Sequence, residues 1–486
     1  MAEKFEKKEI TKKSKDFSRW YTDVILKAEL ADYAPVRGCM VIRPYGYALW
    51  ENIQKALDGM IKAAGVKNAY FPLFIPYSFL EKEKAHIKGF SPELAIVTHG
   101  GGKKLKEPLV IRPTSETVMH AMFAKWIKSW RDLPLLINQW SNAVRWEKRT
   151  YLFLRTTEFL WQEGHTCHAT HKEARQETQR ALQMYIKLFH DWFALPGYFG
   201  QKSNAEKFPG AEETYAYEAL MPDGKVLQGA TSHDLGQNFA EPFNLRFQDK
   251  RGKLEYVWQT SWGLSTRSIG ALIMAHGDDD GLILPPKLAP VKVVIIPVLG
   301  KDDKKVLEFS RKVKEKIERQ KSEFDGVVEI LETSKKTFGW MANESEIKGI
   351  PLALPIGPKE VKDKKITISR RDGNGKLNEM TSLETVAEKV EEMLGKMQKD
   401  LFKRSERFLR ENTHKVNDYS EFKKTMKTKR GFIRAFWCED AKCEAKIKEE
   451  TKATTRLLPL DARTEKGKCL YCGKAASHRW YFAQAY

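Results

Sequence analysis

Apolar positions at Leu49, Trp50, Ile53, Leu57, Met60 and Ile61 recur at three- and four-residue spacing, which predicts an amphipathic helix over 47–64 with Gly65 as its stop. A strand-like run, Ala69-Tyr-Phe-Pro-Leu-Phe-Ile75, follows, and Pro72 places it at an edge or an interface because proline cannot donate to a ladder. Val118, Met119, Met122 and Trp126 mark a second helix, for which Thr114-Ser-Glu116 could be a cap. Residues 158–166 read as a strand. Side chains alternate along it, so Phe159, Trp161, Glu163 and His165 share one face. Aromatic and charged side chains together on a strand face suit a cleft better than a core. A long helix is expected over about 171–194, and Gly263-Leu-Ser-Thr-Arg267 opens an apolar helix.

The pattern changes at a Pro-rich junction, Leu284-Pro-Pro-Lys-Leu-Ala-Pro290. Beyond it, strand-like runs at 291–298, 327–331, 351–356 and 366–369 alternate with helical stretches at about 302–321 and 339–348. This alternation predicts a small α/β domain with a largely parallel sheet. Between Leu401 and Phe432 the chain holds ten Lys or Arg against four acids. Such a run is ordinarily a solvated face, and here it competes with a contact to a nucleic-acid partner or to the first section. The boundaries read as 1–286, 290–400 and 401–486.

Charge and cysteine usage sharpen the picture. The 486 residues carry a formal charge of +20, which favours a polyanionic partner through counterion release. No apolar run approaches the 18 or so residues of a membrane span, and the charged N-terminus has no secretory core, so a cytoplasmic protein is expected. Cys39 and Cys167 are isolated and expected to behave as small buried apolar residues. Cys438, Cys443, Cys469 and Cys472 form two close pairs, which suits a structural zinc ion. Two disulfides or four free thiols are the alternatives, the first weak without a secretion signal. His165, His168 and His171 form a further spaced series, expected not to bind metal because no acid or thiolate is spaced to join it.

The sharpest chemical signal is Arg145-Trp-Glu147, a short basic loop, then Arg155-Thr-Thr-Glu-Phe159, together with Gly263–Arg267. Guanidinium forks neutralise phosphate oxygens, a carboxylate accepts from an exocyclic amine, and a ring and an arginine can enclose a base. The set can therefore hold a nucleoside triphosphate without a phosphate loop. It resembles the second and third signature motifs of the class II aminoacyl-tRNA synthetases, and 47–75 resembles the first. The segments Arg112-Pro-Thr-Ser-Glu-Thr-Val-Met-His120, Glu158-Phe-Leu-Trp-Gln-Glu-Gly-His-Thr166, Gln228-Gly-Ala-Thr-Ser-His233, Trp258-Gln-Thr-Ser-Trp-Gly263 and Trp480-Tyr-Phe-Ala-Gln-Ala-Tyr486 are similar to the archaeal and eukaryotic type of prolyl-tRNA synthetase.

That resemblance implies an α+β catalytic domain on an antiparallel sheet, an α/β anticodon-binding domain and a small zinc-binding α/β C-terminal domain. It implies a homodimer, with the first motif building the contact, and no membrane association. The implied reaction joins L-proline to tRNA(Pro) through prolyl-adenylate, with ATP and Mg2+. Arg145, Arg155 and Arg267 would be catalytic. For proline, Thr114, Glu116 and His233 match the acceptors, Arg145 the carboxylate cation, and Phe90, Trp161, Glu163, His165, Ser261 and Gly263 the remaining pocket. For ATP, the counterparts are Arg145, Glu147, Arg155, Thr156, Phe159, Gln228, Thr231, Ser265 and Arg267. Glu346, Lys348, Arg370 and Arg371 are the anticodon candidates. The interval between Phe159 and Arg267 leaves no room for an editing domain of ordinary size. Two departures stand out. The loop 148–154 is one residue shorter than is usual in the family, and Thr157 stands where the family more often has arginine. A tRNA- or amino-acid-binding relative without catalysis is the competing reading, against which the complete arginine set argues. Composition alone would give a nucleic-acid-binding protein with a zinc module, which leaves these motifs unexplained.

Overall fold

The computed structural model describes residues 9–82, 94–299, 303–320, 322–324, 326–331, 336–373 and 377–486. The first section is organised by six antiparallel neighbours: β1 (Leu135–Val144), β2 (Glu158–His168), β3 (Tyr198–Gln201), β4 (Glu213–Leu220), β5 (Val226–Gly236) and β6 (Trp258–Ser265). Their spatial order is β3-β4-β5-β6-β2-β1, so β2 lies in the interior beside β6 and β1. Among the helices of this section are α1 (Pro44–Ala63), α2 (Glu116–Trp126), α3 (His171–Asp191) and α4 (Arg267–His276).

Local chemistry sets these elements. Pro44 begins α1, where its missing N–H costs nothing, and Gly65 follows the helix at φ +82°. Thr170 and Glu173 close a capping box at the start of α3. Helix α4 buries Ile269, Ala271, Leu272, Ile273 and Met274, each large aliphatic contributing about 1.5–3 kcal/mol. Gly270 allows its close approach. A Cβ there would stand 2.4 Å from Leu154 Cδ2 and 2.7 Å from the Tyr21 hydroxyl. Helix α2 begins at Glu116, but its cap residue Ser115 makes no side-chain capping bond.

The expected strand over 69–75 is shorter and displaced. Strand pairing covers Lys67–Asn68 and Phe74–Pro76, with Pro72 between them. The amides there turn elsewhere: Ala69 N donates to Asn138 O at 2.8 Å and Phe71 N to the Gln139 side chain at 2.5 Å.

The middle section has a five-stranded sheet in the order Val327–Ile330, Val291–Pro297, Leu352–Ile356, Lys365–Arg370 and Asn378–Ser382. The first two pairings are parallel and the last two antiparallel, so this sheet is mixed rather than largely parallel. The connection after Ile356 holds only the short helix Pro358–Asp363 before the strand at Lys365, and both of the last two connections are shorter than a parallel crossover needs.

Helix α5 (Val386–Glu411) runs unbroken through residue 400. Its first half packs Met393 and Leu394 into the middle section, and its second half lays Met397 and Leu401 against Ala194 and Ile283 of the first. The basic run is therefore not wholly a solvated face: Arg404 Nη2 donates to His276 O at 3.3 Å. The last section adds β7 (Phe432–Trp437), helix α6 (Ala441–Thr451), β8 (Thr454–Pro459) and β9 (His478–Ala483). Strand β8 pairs with β3, so the C-terminal strands and the first section share one eleven-stranded sheet.

Candidate functional site

Two cavities meet on the open face of the first section's sheet. The first, about 140 Å³, is lined by Glu147, Arg155, Thr156, Phe159, Ser265 and Arg267 among others. The second, about 260 Å³, is lined by Thr114, Glu116, Glu163, His165, His233 and Ser261 among others. Arg145, Trp161, Gln228, Thr231 and Gly263 line both. The period-two reading of β2 holds: its alternate residues Phe159, Trp161, Glu163 and His165 all face this cleft. Every sequence-predicted ATP and proline residue falls into one of the two compartments except Phe90, which lies outside the described residues.

The first compartment concentrates positive charge. Arg267 donates from Nε to Leu154 O at 2.9 Å. Burial, then the nearby Arg145 and Arg155 charges, lowers its guanidinium to about 10. Three guanidiniums gathered in one cleft repel one another, and a polyanion would relieve them. Arg145 lies between the compartments. Its Nε donates to Pro113 O at 3.2 Å, and its guanidinium carbon stands 5.3 Å from the Phe159 ring centroid and 5.9 Å from that of Trp161. Glu147 pairs with Arg155 at 2.5 Å across the short loop. Thr156 donates to Glu158 O at 2.7 Å, and the Ser265 hydroxyl accepts from Arg267 N at 3.3 Å. Thr157 packs against Gly38, where a Cβ would come within 2.4 Å of its hydroxyl, and its carbonyl accepts from Arg145 N at 2.8 Å.

The second compartment is carboxylate-rich. Thr114 donates its hydroxyl to Glu116. Buried Glu163 accepts from Ser115 Oγ at 2.5 Å and Gln139 Nε2 at 2.9 Å, and lies 3.0 Å from His165 Nε2. Burial works to lower the His165 imidazole, but the bond to Glu163 and the charges of Glu116 and Glu163 outweigh it and leave it raised. His233 goes the other way. Burial, with His165 and Lys202 nearby, lowers it to about 3, and its Nδ1 meets Thr214 Oγ1 at 2.9 Å. Trp161 Nε1, Ser261 Oγ and His165 Nδ1 are buried without a hydrogen-bond partner, which is unusual unless a ligand supplies one.

Several residues that shape this site are not among the individual candidates read from the sequence. Ser115 and Gln139 hold Glu163, Pro113 O holds Arg145, and Glu206, Lys207, Phe208 and Pro209 wall the second compartment. His120 is buried beside His165, at a ring separation of 6.1 Å, with both nitrogens unpartnered. Burial, with His165 close by, holds it well below its ordinary value.

Two of the four anticodon candidates need correction. Arg370 is buried and bonded to Asp372 at 2.8 and 3.0 Å and to Asp400 at 2.9 Å. Arg371, also buried, forks onto Asp278 at 2.5 and 2.8 Å and donates to Glu346 O at 2.9 Å. Both guanidiniums are committed to carboxylates inside the protein, and Arg371 docks the middle section on the first. Lys348 pairs with Glu344 at 3.0 Å, and its carbonyl accepts from Tyr45 at 3.0 Å. Glu346 is exposed.

The four clustered cysteines converge. Cys438 follows β7, Cys443 lies in the first turn of α6, and Cys469 and Cys472 flank a turn closed by Gly473 N to Cys469 O at 2.9 Å. Their sulfurs all lie within 4.8 Å of one another, and Cys438 Sγ is 3.7 Å from both Cys443 Sγ and Cys472 Sγ. Metal–sulfur bonds of about 2.3 Å in a tetrahedron place sulfurs about 3.8 Å apart, so the cluster can bind a metal ion. In the histidine series, the expectation that no acid joins it fails for His171. Glu212 and Asp234, distant in sequence, bring their oxygens to 3.5 and 2.7 Å from its Nε2. Arg175 also approaches Asp234, at 3.8 Å, so this carboxylate already has an imidazole and a guanidinium beside it.

Comparison with known proteins matches these sections. The family described as tRNA synthetase class II core domain (G, H, P, S and T) matches residues 99–276. Anticodon binding domain matches 292–393, and Prolyl-tRNA synthetase, C-terminal matches 419–486. The proline–tRNA ligase of Chlorobium chlorochromatii is 51% identical over 485 residues, covering 98% of this chain and 99% of its own. That of Borreliella burgdorferi is 51% identical over 488 residues with the same coverage. A crystal structure of prolyl-tRNA synthetase from Cryptosporidium parvum complexed with halofuginone and AMPPNP matches with a TM-score of 0.93 at 41% identity, covering 98% of this chain and 99% of that one.

Proposed function

We propose a division of labour within the cleft of this chain, which belongs to the prolyl-tRNA synthetase family of class II synthetases. The enzyme is a ligase that attaches proline to tRNA(Pro) at the expense of ATP. In our reading the first compartment takes the nucleotide and the second takes proline, and Arg145 bridges them. The observation that carries this is the shared wall: Arg145 and Trp161 line both compartments, with a triad of arginines on one side and a carboxylate-rich pocket on the other. The ATP analogue AMPPNP in the Cryptosporidium parvum structure supports a nucleotide site of this class.

Arg155 and Arg267 hold the outer phosphates, with Thr156 and Ser265 shaping the wall beside them. Phe159 and Arg267 enclose the adenine. Glu147 leaves Arg155 for the adenine amine, which frees Arg155 for phosphate. Gln228 and Thr231 line the passage between the two substrates. In the second compartment Thr114, Glu116 and His233 face the secondary ammonium, while Trp161, Ser261 and Gly263 border the ring. Glu163 and His165, locked together behind them, fix the pocket floor. A carboxylate oxygen of proline attacks the α-phosphorus of ATP in line. The bond to the bridging oxygen breaks, and pyrophosphate leaves with its electron pair. No base is needed, because the nucleophile is already an anion. Catalysis is positioning plus neutralisation of charge on the phosphoryl oxygens, which Arg145, Arg155 and Arg267 supply. ATP enters as its magnesium complex. The 3′-terminal ribose hydroxyl of tRNA then takes the prolyl group and AMP departs.

The remaining assignments belong to the same proposal. The three sections are a catalytic domain (1–286), an anticodon-binding domain (290–400) and a C-terminal domain (401–486), although α5 bridges the last two. Cys438, Cys443, Cys469 and Cys472 hold one structural zinc ion, the metal whose tetrahedral thiolate geometry the sulfur spacings suit. Glu346 and Lys348 remain the anticodon candidates. A homodimer forms over the first motif, where Tyr47, Tyr70 and Phe74 are 42%, 71% and 46% exposed. Among the described residues no helix is long and apolar enough to cross a membrane, and we place the enzyme in the cytoplasm with its tRNA. Proline-dependent exchange of pyrophosphate into ATP tests the reading. Exchange driven by proline above other amino acids is expected, and its absence in folded protein would overturn it.

A further inference from the structure

The wall of the second compartment is fastened from outside the first section. Ser203 stands at its root: its carbonyl accepts from Glu206 N at 3.1 Å and Lys207 N at 2.9 Å, turning the chain so that Glu206–Pro209 line the cavity. The side chain of Ser203 points away, into the C-terminal module. It donates to Glu444 Oε1 at 2.8 Å, and Thr455 donates to the same carboxylate. All three groups are buried, at 2%, 4% and 0% exposure. One residue earlier, Lys202 Nζ meets Glu218 at 2.6 Å, and Arg456 Nη2 from the module donates to both Glu218 oxygens, at 2.8 and 2.9 Å. On the exposed side, Lys448 reaches Glu206 at 3.3 Å. The inner end of the wall closes on the pocket, with Phe208 N donating to Thr214 Oγ1 at 3.0 Å and that hydroxyl meeting His233 at 2.9 Å.

Glu444 is an unusual choice for plain packing. The residue is 4% exposed and its Oε2 is buried without a partner, so the site carries a desolvation cost that an apolar residue would avoid. It also directly follows Cys443 in α6, so the fastening shares a helical turn with the cysteine cluster. We infer that Glu444 is a positioning residue for proline recognition: through Ser203 it sets the wall of the second compartment, and the C-terminal module thereby tunes proline affinity without touching the substrate. The inference rests on the assignment of that compartment to proline.

The test uses the full-length chain and the proline and ATP dependence of pyrophosphate exchange. Glu444→Ala is expected to raise the KM for proline about tenfold, about what one lost hydrogen bond is worth. The kcat and the KM for ATP should stay within about twofold. Glu444→Gln keeps an acceptor oxygen and should restore most of the affinity. Ser203→Ala should reproduce the rise, and the double variant should add little, because the two act as one unit. Glu116→Gln serves as the control for the compartment itself. If the control raises the KM for proline and Glu444→Ala does not, the inference is wrong. If neither moves it, the assignment of the compartment to proline fails instead. A fall in kcat with both KM values disturbed, in Ser203→Ala as in Glu444→Ala, would also overturn it, since that would report scaffolding alone. Should Glu444→Ala not fold, Glu444→Gln and Ser203→Ala decide by the same criteria.

Discussion

Replacing Arg145 by alanine separates the two compartments chemically while leaving the fold in place. Its Nε donates to Pro113 O at 3.2 Å, a bond worth about 1 kcal/mol, and the loss of that bond is partly offset because Arg267 is relieved of a neighbouring like charge. Folding should therefore change little. Catalysis should change greatly. The contact to the proline carboxylate is a charge-assisted bond worth about 1.5–3 kcal/mol in the ground state. The contact to the α-phosphate grows as charge develops, and such transition-state donors are worth about 2.7–4 kcal/mol. Together they predict a loss in kcat/KM of about 10³–10⁵, with both kcat reduced and the KM for proline raised. Proline-dependent pyrophosphate exchange reads this directly, and a melting curve checks the fold. Arg145→Lys restores charge without the planar fork and should recover only part of the activity. Exchange within about tenfold of the parent in a folded Arg145→Ala protein would refute the bridging role.

Elemental analysis of protein purified without chelator should find one zinc per chain, and Cys443→Ser should lower both that stoichiometry and the melting temperature; a metal-free parent would remove the zinc assignment. Glu163→Gln leaves burial as the main influence on His165, so its imidazole, followed by NMR, should fall from above to below the ordinary 6.5. The sign for stability follows: the raised value makes the His165–Glu163 contribution complete below about pH 6.5 and lost as pH rises through the folded value, so the parent's stability advantage over Glu163→Gln should shrink above neutrality. Arg371→Ala should lower the melting temperature by removing the fork onto Asp278 and the bond to Glu346 O, whereas Glu346→Ala should leave exchange near the parent's and slow tRNA charging; equal effects on exchange and charging would argue against an anticodon role for Glu346. Alanine differs from proline by too little apolar bulk to be strongly rejected, so measurable alanine-dependent exchange is expected, with no enzyme-dependent hydrolysis of alanyl-tRNA(Pro). Rapid deacylation would contradict the absence of an editing domain.

Much of the cleft was legible because its carriers obey simple periods. Helix α1 declares itself through three- and four-residue spacing, and β2 delivers Phe159, Trp161, Glu163 and His165 to one face through alternation alone. What alternation cannot supply is the register of neighbouring strands when both faces are covered. The pairing of Gln139 opposite Glu163, and hence the clamp on that carboxylate, has no trace in local pattern. Arg370 and Arg371 were misplaced for a related reason. Charged residues at a strand end read as solvent-facing, yet Asp278, 93 residues from Arg371, draws it inward. The expected boundary at 400 fell inside α5 because a charge shift marks a change of environment, not the end of a helix. The basic half of α5 still buries Met397 and Leu401 beneath its lysines.

The most direct measurement is a crystal structure with a non-hydrolysable prolyl-adenylate analogue, which spans both compartments at once. The account predicts the adenine between Phe159 and Arg267, the prolyl ring beside Trp161 with its ammonium toward Thr114 and Glu116, and the linker lying on Arg145. A linker that does not touch Arg145, or a prolyl group seated among Arg155, Thr156 and Ser265, would contradict it.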